Sequence, residues 1–283
     1  MKTKLKTEFF TVTRFTLKLA AIAGAAMVLA KLVHPANASE SNQKTIVIGT
    51  TVGDFATLVN EGLKPELEKK GYQVKLIQFT DYVRPNIALS ERALDVNIFQ
   101  HKPYLDEFTK EKNLSLSVLT PVPTAPLGLY SGTSKSLAEV KEGLTIAVPN
   151  DPTNLARALV ILSELGWIEL KKSINPLRVS LKDISIYKIK LKIVQLEAAQ
   201  LPRSLSDVNY AVINGNYATS AGLALTSSLA KEKNVRYINH MVVRTADLNS
   251  TFAKDLVQIS KSATFKEFAR KKFPGYQYPS DWK

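Results

Sequence analysis

Two rounds of alternating strand and helix patterns predict an α/β protein of two lobes. A proline-interrupted apolar stretch separates the rounds, and a second apolar extended stretch follows the later one, so the lobes are expected to be joined by two crossings. Alternation of this kind argues for mainly parallel sheets covered by helices.

The elements follow in order. Ile46-Val47-Ile48-Gly49 reads as a first buried strand. Phe55, Leu58, Val59, Leu63 and Leu67 then recur at helical spacing, and Gly71 stands where a helix would end. Val74 to Phe79 is a second strand, Pro85 to Leu94 a short helix, Val96 to Phe99 a third strand and Pro103 to Lys112 a further helix. Leu114 to Tyr130 is apolar but carries Pro121, Pro123 and Pro126, which exclude a helix and disfavour a central strand. It suits an extended crossing. Beyond it, Thr145 to Val148 is a strand, Asn154 to Leu165 a helix, Leu191 to Val194 a strand and Leu201 to Leu205 a short helix. Tyr210 to Ile213 is another strand, with a helix starting at Asn216. Val235 to Val243 is the candidate return crossing, and Ala253 to Phe273 an amphipathic helical region. The expected division is residues 1–38 as a signal peptide, 39–122 and 238–283 as one lobe, and 123–237 as the other.

The amino terminus sets the compartment. Lys2, Lys4, Lys6 and Arg14 precede an apolar run from Leu19 to Ala30, too short to span a bilayer comfortably. Ala36-Asn37-Ala38 supplies a small-x-small cleavage site, so Ser39 is the expected mature terminus. The chain has no Cys, which removes disulfides, thiolate catalysis and the lipid-modified Cys of an anchored exported protein. A periplasmic protein without a lipid anchor, and a monomer, is expected. Of 38 basic and 25 acidic residues, the leader holds six and one, leaving 32 and 24 and a net charge of +8. These charges are scattered over amphipathic helices, not clustered with aromatics, so a nucleic-acid partner is not expected.

In open parallel sheets, ligands sit beyond the carboxyl ends of the strands. Gly49–Asp54, Phe79–Tyr82, Phe99–His101, Pro149–Asn154 and Asn214–Tyr217 all lie at such ends and are expected to line one cleft. Val148-Pro149-Asn150-Asp151-Pro152-Thr153-Asn154 joins a strand to a helix. Asp151, Thr153 and Asn154 are candidate N-caps, Pro152 fits just inside the helix, and Arg157 lies about one turn in. A helix start favours an anion, and Arg157 can close a two-pronged bond on a carboxylate. Tyr82, Phe99, His101 and Tyr104 offer an apolar wall. Catalytic signatures are missing. His101 and His240 have no metal-ligand spacing, and there is no G-x-S-x-G elbow, P-loop or G-x-G-x-x-G. Neither metal, cofactor nor catalytic residue is expected.

These blocks carry a resemblance. Asp81-Tyr82-Val83, Phe99-Gln100-His101-Lys102-Pro103-Tyr104-Leu105, Ala147 to Asn154 with Arg157, Glu197 to Leu205, and Ala211-Val212-Ile213-Asn214 with Tyr217-Ala218 resemble the methionine-binding proteins of the NlpA (MetQ-type) lipoprotein family, which serve methionine ABC importers. The resemblance runs in order over nearly all of residues 44 to 245. It implies a two-lobed periplasmic-binding-protein fold, type II-like with Rossmann-like lobes. The implied function is non-enzymatic: capture of methionine and delivery to a membrane ABC permease with its ATPase. By matching motif, Tyr82, Phe99 and His101 would take the ligand side chain, with Tyr104 a weaker candidate. Arg157, Asn214 and Asn239 would hold its carboxylate and amine, with Asn154 in support. Another apolar amino acid or a methionine-containing dipeptide is the alternative ligand. The family usually carries a lipid-bearing Cys that this chain lacks, and Ser180 to Lys190 and the portion after Thr245 match weakly.

Overall fold

The computed structural model describes residues 44–172 and 174–282. The leader, its cleavage site and the expected Ser39 terminus lie outside them. The first sheet is built from β1 (Lys44–Thr51), β2 (Tyr72–Phe79), β3 (Val96–His101), β4 (Leu116–Val122) and a late strand, β12 (Asn239–Arg244), in the order β2-β1-β3-β12-β4. The second takes β5 (Gly128–Ser131), β6 (Thr145–Pro149), β9 (Lys192–Leu196), β10 (Tyr210–Ile213) and β11 (Ala230–Lys231), in the order β11-β5-β10-β6-β9. The pairs β1–β2, β1–β3, β6–β9 and β6–β10 are parallel. Chain segments that pass between the sheets, β4, β5, β11 and β12, pair antiparallel, so each sheet is mixed.

Helices cover both sheets. In the first half these are α1 (Asp54–Thr57), α2 (Lys64–Lys69), α3 (Arg84–Ser90) and α4 (Lys102–Lys112). The second half adds α5 (Pro152–Glu164), α6 (Leu201–Ser204), α7 (Gly215–Ser220), α8 (Thr251–Lys261) and α9 (Ala263–Lys272). A wider π-type turn, Leu58–Leu63, links α1 to α2. There Gly62 lies flat against Phe265 and Phe268, where a Cβ would come within 2.5 Å of the Phe268 ring. Gly71 has the left-handed φ of 85° expected of a residue just past a helix end. The carboxy-terminal helices pack on the first sheet: Leu256, Ile259, Phe265 and Phe273 share a core with Ile46, Ile48, Leu63 and Ile98. The second sheet packs Ile146, Val148 and Val212 against Leu155, Leu159 and Leu162 of α5.

Several expectations need correction. The helix expected over Pro85 to Leu94 ends at Ser90, where the chain turns through Arg92 at φ 64°. The segment expected to be one extended crossing, Leu114 to Tyr130, contains two strands, one in each sheet, with only Pro123 to Leu127 between them. Pro121 is tolerated because β4 is an edge strand, paired only with β12. The helical region Ala253 to Phe273 is two helices, because Ser262 turns extended and its hydroxyl caps α9 through the Phe265 N–H. The hairpin of β7 (Ile168–Leu170) with β8 (Ile184–Tyr187), and the two-residue β11, were not foreseen. Such short strands carry no periodicity of their own.

Candidate ligand-binding site

Asp151 is the N-cap of α5. Its carboxylate accepts the backbone N–H of Asn154 at 2.9 Å, the Thr153 hydroxyl at 3.0 Å and the Asn154 side-chain amide at 2.8 Å. Burial raises its pKa despite these bonds. One turn on, Arg157 is 5% exposed and lies under the Tyr237 ring, 4.6 Å from its centroid. Its Nε and Nη2 donate to the two oxygens of Glu232, with Nε–Oε2 at 2.8 Å, and its Nη1 donates to Asn154 Oδ1 at 2.7 Å. Burial works against the charge of Arg157, and the Glu232 carboxylate more than offsets it. Among the described residues, three of the five guanidinium donors are thus used. One N–H on each terminal nitrogen is left, a pair that suits a carboxylate.

His101 ends β3 and caps α4. Its Nδ1 accepts the Tyr104 N–H at 3.1 Å, so the proton resides on Nε2, which stands 3.2 Å from Asn154 Oδ1. Burial, with the Arg157 charge second, holds its pKa well below the usual histidine range. The ring is therefore neutral. Asn154 thereby ties His101 to Arg157 across the cleft. The Tyr82 ring stacks on Phe99 at 5.7 Å, and Tyr104 meets both edge-on at 6.0 Å. The Tyr104 hydroxyl donates to the Tyr82 carbonyl at 2.9 Å, which fixes the wall.

The opposite side comes from the start of α7. Asn214 is buried, and its Oδ1 has no hydrogen-bond partner among the described residues. A buried acceptor of this kind costs stability until a donor reaches it. Asn216 accepts the Tyr82 hydroxyl at 2.6 Å and donates to Thr51 at 3.2 Å, while the Tyr217 hydroxyl donates to the Thr80 carbonyl at 3.1 Å. Asn239 opens β12, its N–H bound to the Thr124 hydroxyl at 2.8 Å. Tyr82, Phe99, His101, Asn154, Arg157, Asn214 and Asn239, together with Tyr104, line one small cavity of about 20 Å³. Its wall is completed by Gln100, Thr124, Ala125, Gly215 and Asn216. The β1 end, expected in the wall, instead braces α7 through Thr51 and Gly53.

Sequence reasoning missed Glu232 and Tyr237. Glu232 and Tyr237 lie in or beside the return segment, far from Arg157 in the chain, and no local pattern signals a partner for that Arg. Asn216 lies in the stretch Asn214–Tyr217 expected to line the cleft, as it does, but its bond to the Tyr82 hydroxyl has no local signal in the chain.

The NlpA lipoprotein family matches residues 46–280. This chain belongs to the NlpA lipoprotein family. It is 41% identical, over 240 residues, to the D-methionine-binding lipoprotein MetQ of Salmonella typhi, a span of 83% of this chain and 88% of that protein. A nutrient-binding protein from Burkholderia cenocepacia, solved bound to methionine, is 41% identical and superposes with a TM-score of 0.77 over 81% of this chain and 97% of that one. The periplasmic substrate-binding protein of an ABC transporter from Coxiella burnetii is 38% identical, with a TM-score of 0.77 over 83% and 100%. The chain therefore has the two-lobed fold of this NlpA group. The family and the Salmonella relative are named lipoproteins, which runs against the expectation of a protein without a lipid anchor. The 283 residues nonetheless contain no Cys to carry one.

Proposed function

We propose that this chain is a periplasmic solute-binding protein that captures methionine between two lobes and delivers it to a membrane ABC permease with its ATPase. One lobe comprises residues 39–122 and 238–283, the other 123–237, and the protein binds its ligand without turnover. One observation carries the reading: a single cavity has an aromatic half, Tyr82, Phe99 and Tyr104, and a polar half, Arg157, Asn214 and Asn239. A thioether gains about 0.3–1.5 kcal/mol from each aromatic contact. The spare donors of Arg157 suit a carboxylate, and the orphan Asn214 Oδ1 suits an ammonium. Neutral His101 keeps charge away from the ligand side chain. The methionine bound by the Burkholderia relative supports the same ligand here.

Isothermal calorimetry of the purified protein with methionine tests this. Binding is expected, and Arg157→Ala is expected to weaken it by about 2–5 kcal/mol, a loss of roughly 30- to 5,000-fold in affinity. Unchanged affinity in that variant would remove Arg157 from the site. No heat from methionine in the unaltered protein, with heat from another apolar amino acid or a methionine-containing dipeptide, would reassign the ligand.

A further inference from the structure

Glu232 is a buried carboxylate that the cavity wall does not include, yet it controls the group that faces the ligand. It follows β11 directly, and its own N–H donates to the Leu127 carbonyl at 3.0 Å. Its Oε1 accepts the Leu127 N–H at 2.8 Å, so the crossing segment grips it from both sides. Its two oxygens take the Nε and Nη2 edge of Arg157, and the two side chains are only 5% and 4% exposed. The guanidinium is thereby fixed in rotation, with its spare donors limited to the terminal nitrogens. Its charge is also offset. Asp151, buried one turn away, adds a second negative group near the same Arg.

A buried Arg without a counterion would attract any carboxylate. An Arg already matched by Glu232 gives a bare anion no surplus charge to meet, whereas a zwitterion brings its own cation. We propose that Glu232 is a positioning residue that acts through Arg157 to make the site select α-amino acids over the corresponding carboxylic acids. This rests on the methionine reading above and adds to it the source of discrimination at the α-amino group.

The test compares methionine with methylthiobutanoate, the same molecule without the amine, by calorimetry on the unaltered protein, E232Q and E232D. The unaltered protein is expected to prefer methionine strongly. In E232Q one negative charge is gone at unchanged size, and the preference is expected to narrow by about tenfold as the anion gains relative to the zwitterion. A role confined to holding the fold would weaken both ligands alike, so an unchanged ratio in E232Q overturns the proposal. E232D keeps the charge but draws the oxygens back by one methylene. Both affinities are expected to fall about tenfold at constant ratio; if E232Q does not fold, a ratio that narrows in E232D, where the charge is kept, overturns the proposal. Unchanged affinities in E232D overturn the positioning role. If the unaltered protein binds no methionine, the functional reading fails first and this proposal with it.

Discussion

At the scale of single residues, most polar groups around the cleft are already committed to one another. Asn154 illustrates this: its side chain bonds Asp151, Arg157 and His101 together, so it fixes these cavity-lining groups relative to one another. Asp54 is a second case, at the start of α1. It accepts the Tyr276 hydroxyl at 2.6 Å and the Phe55 N–H at 3.0 Å, yet burial pushes its pKa from 3.8 up to about 6. Between these values the folded state holds a proton that the unfolded state has released. The contribution of Asp54 to stability is therefore full below about pH 4 and is lost as pH rises through about 6. Asp54→Asn removes that loss. Relative to the unaltered protein, the variant is expected to be more stable at pH 8 than at pH 4, by up to about 3 kcal/mol. Urea melts at the two pH values check this, and an equal difference at both would sink it.

At the scale of elements, α7 is the part of the second sheet's layer that reaches the first. Two glycines permit its approach. A Cβ on Gly53, at φ 107°, would meet the Asn216 carbonyl at 2.8 Å, and one on Gly215 would meet Ala125 at 2.4 Å. The Tyr82–Asn216–Thr51 and Tyr217–Thr80 bonds then tie α7 to the segments that follow β1 and β2. Tyr82→Phe keeps the ring of the aromatic wall and deletes one bond of this set. Methionine is expected to leave about 3–10-fold faster, the equivalent of one hydrogen bond, with its association rate unchanged. Stopped-flow fluorescence separates the two rates, and a slower association with unaltered release would assign Tyr82 another role.

At the scale of the whole molecule, the cavity belongs to neither sheet alone. His101 and Phe99 come from β3, Asn154 and Arg157 from α5, Asn214 from the end of β10 and Asn239 from the return strand β12. Ligand that bridges such parts stabilises the folded form by mass action. At a hundredfold excess over its dissociation constant, methionine is expected to add about 2.7 kcal/mol and raise the melting temperature by roughly 5–10 °C. Differential scanning fluorimetry reads this directly, and an equal rise with alanine would deny a role to the aromatic wall.

Much of this architecture was legible in the chain itself. Buried strands such as Ile46–Gly49 and Tyr210–Ile213, the Asp151 cap and the Gly71 helix end are all local in origin. They follow from periodicity and capping chemistry, which act over a few residues. The family blocks placed Tyr82, Phe99, His101, Asn154, Arg157, Asn214 and Asn239 in one list, and the cavity holds them all. What the tertiary structure alone decided is the pairing of groups distant in the chain. Glu232 finds Arg157 across 75 positions and Tyr82 finds Asn216 across 134. Packing creates those pairs, because a buried charge or hydroxyl must meet whichever partner the fold brings to it, and no pattern along the chain encodes the meeting.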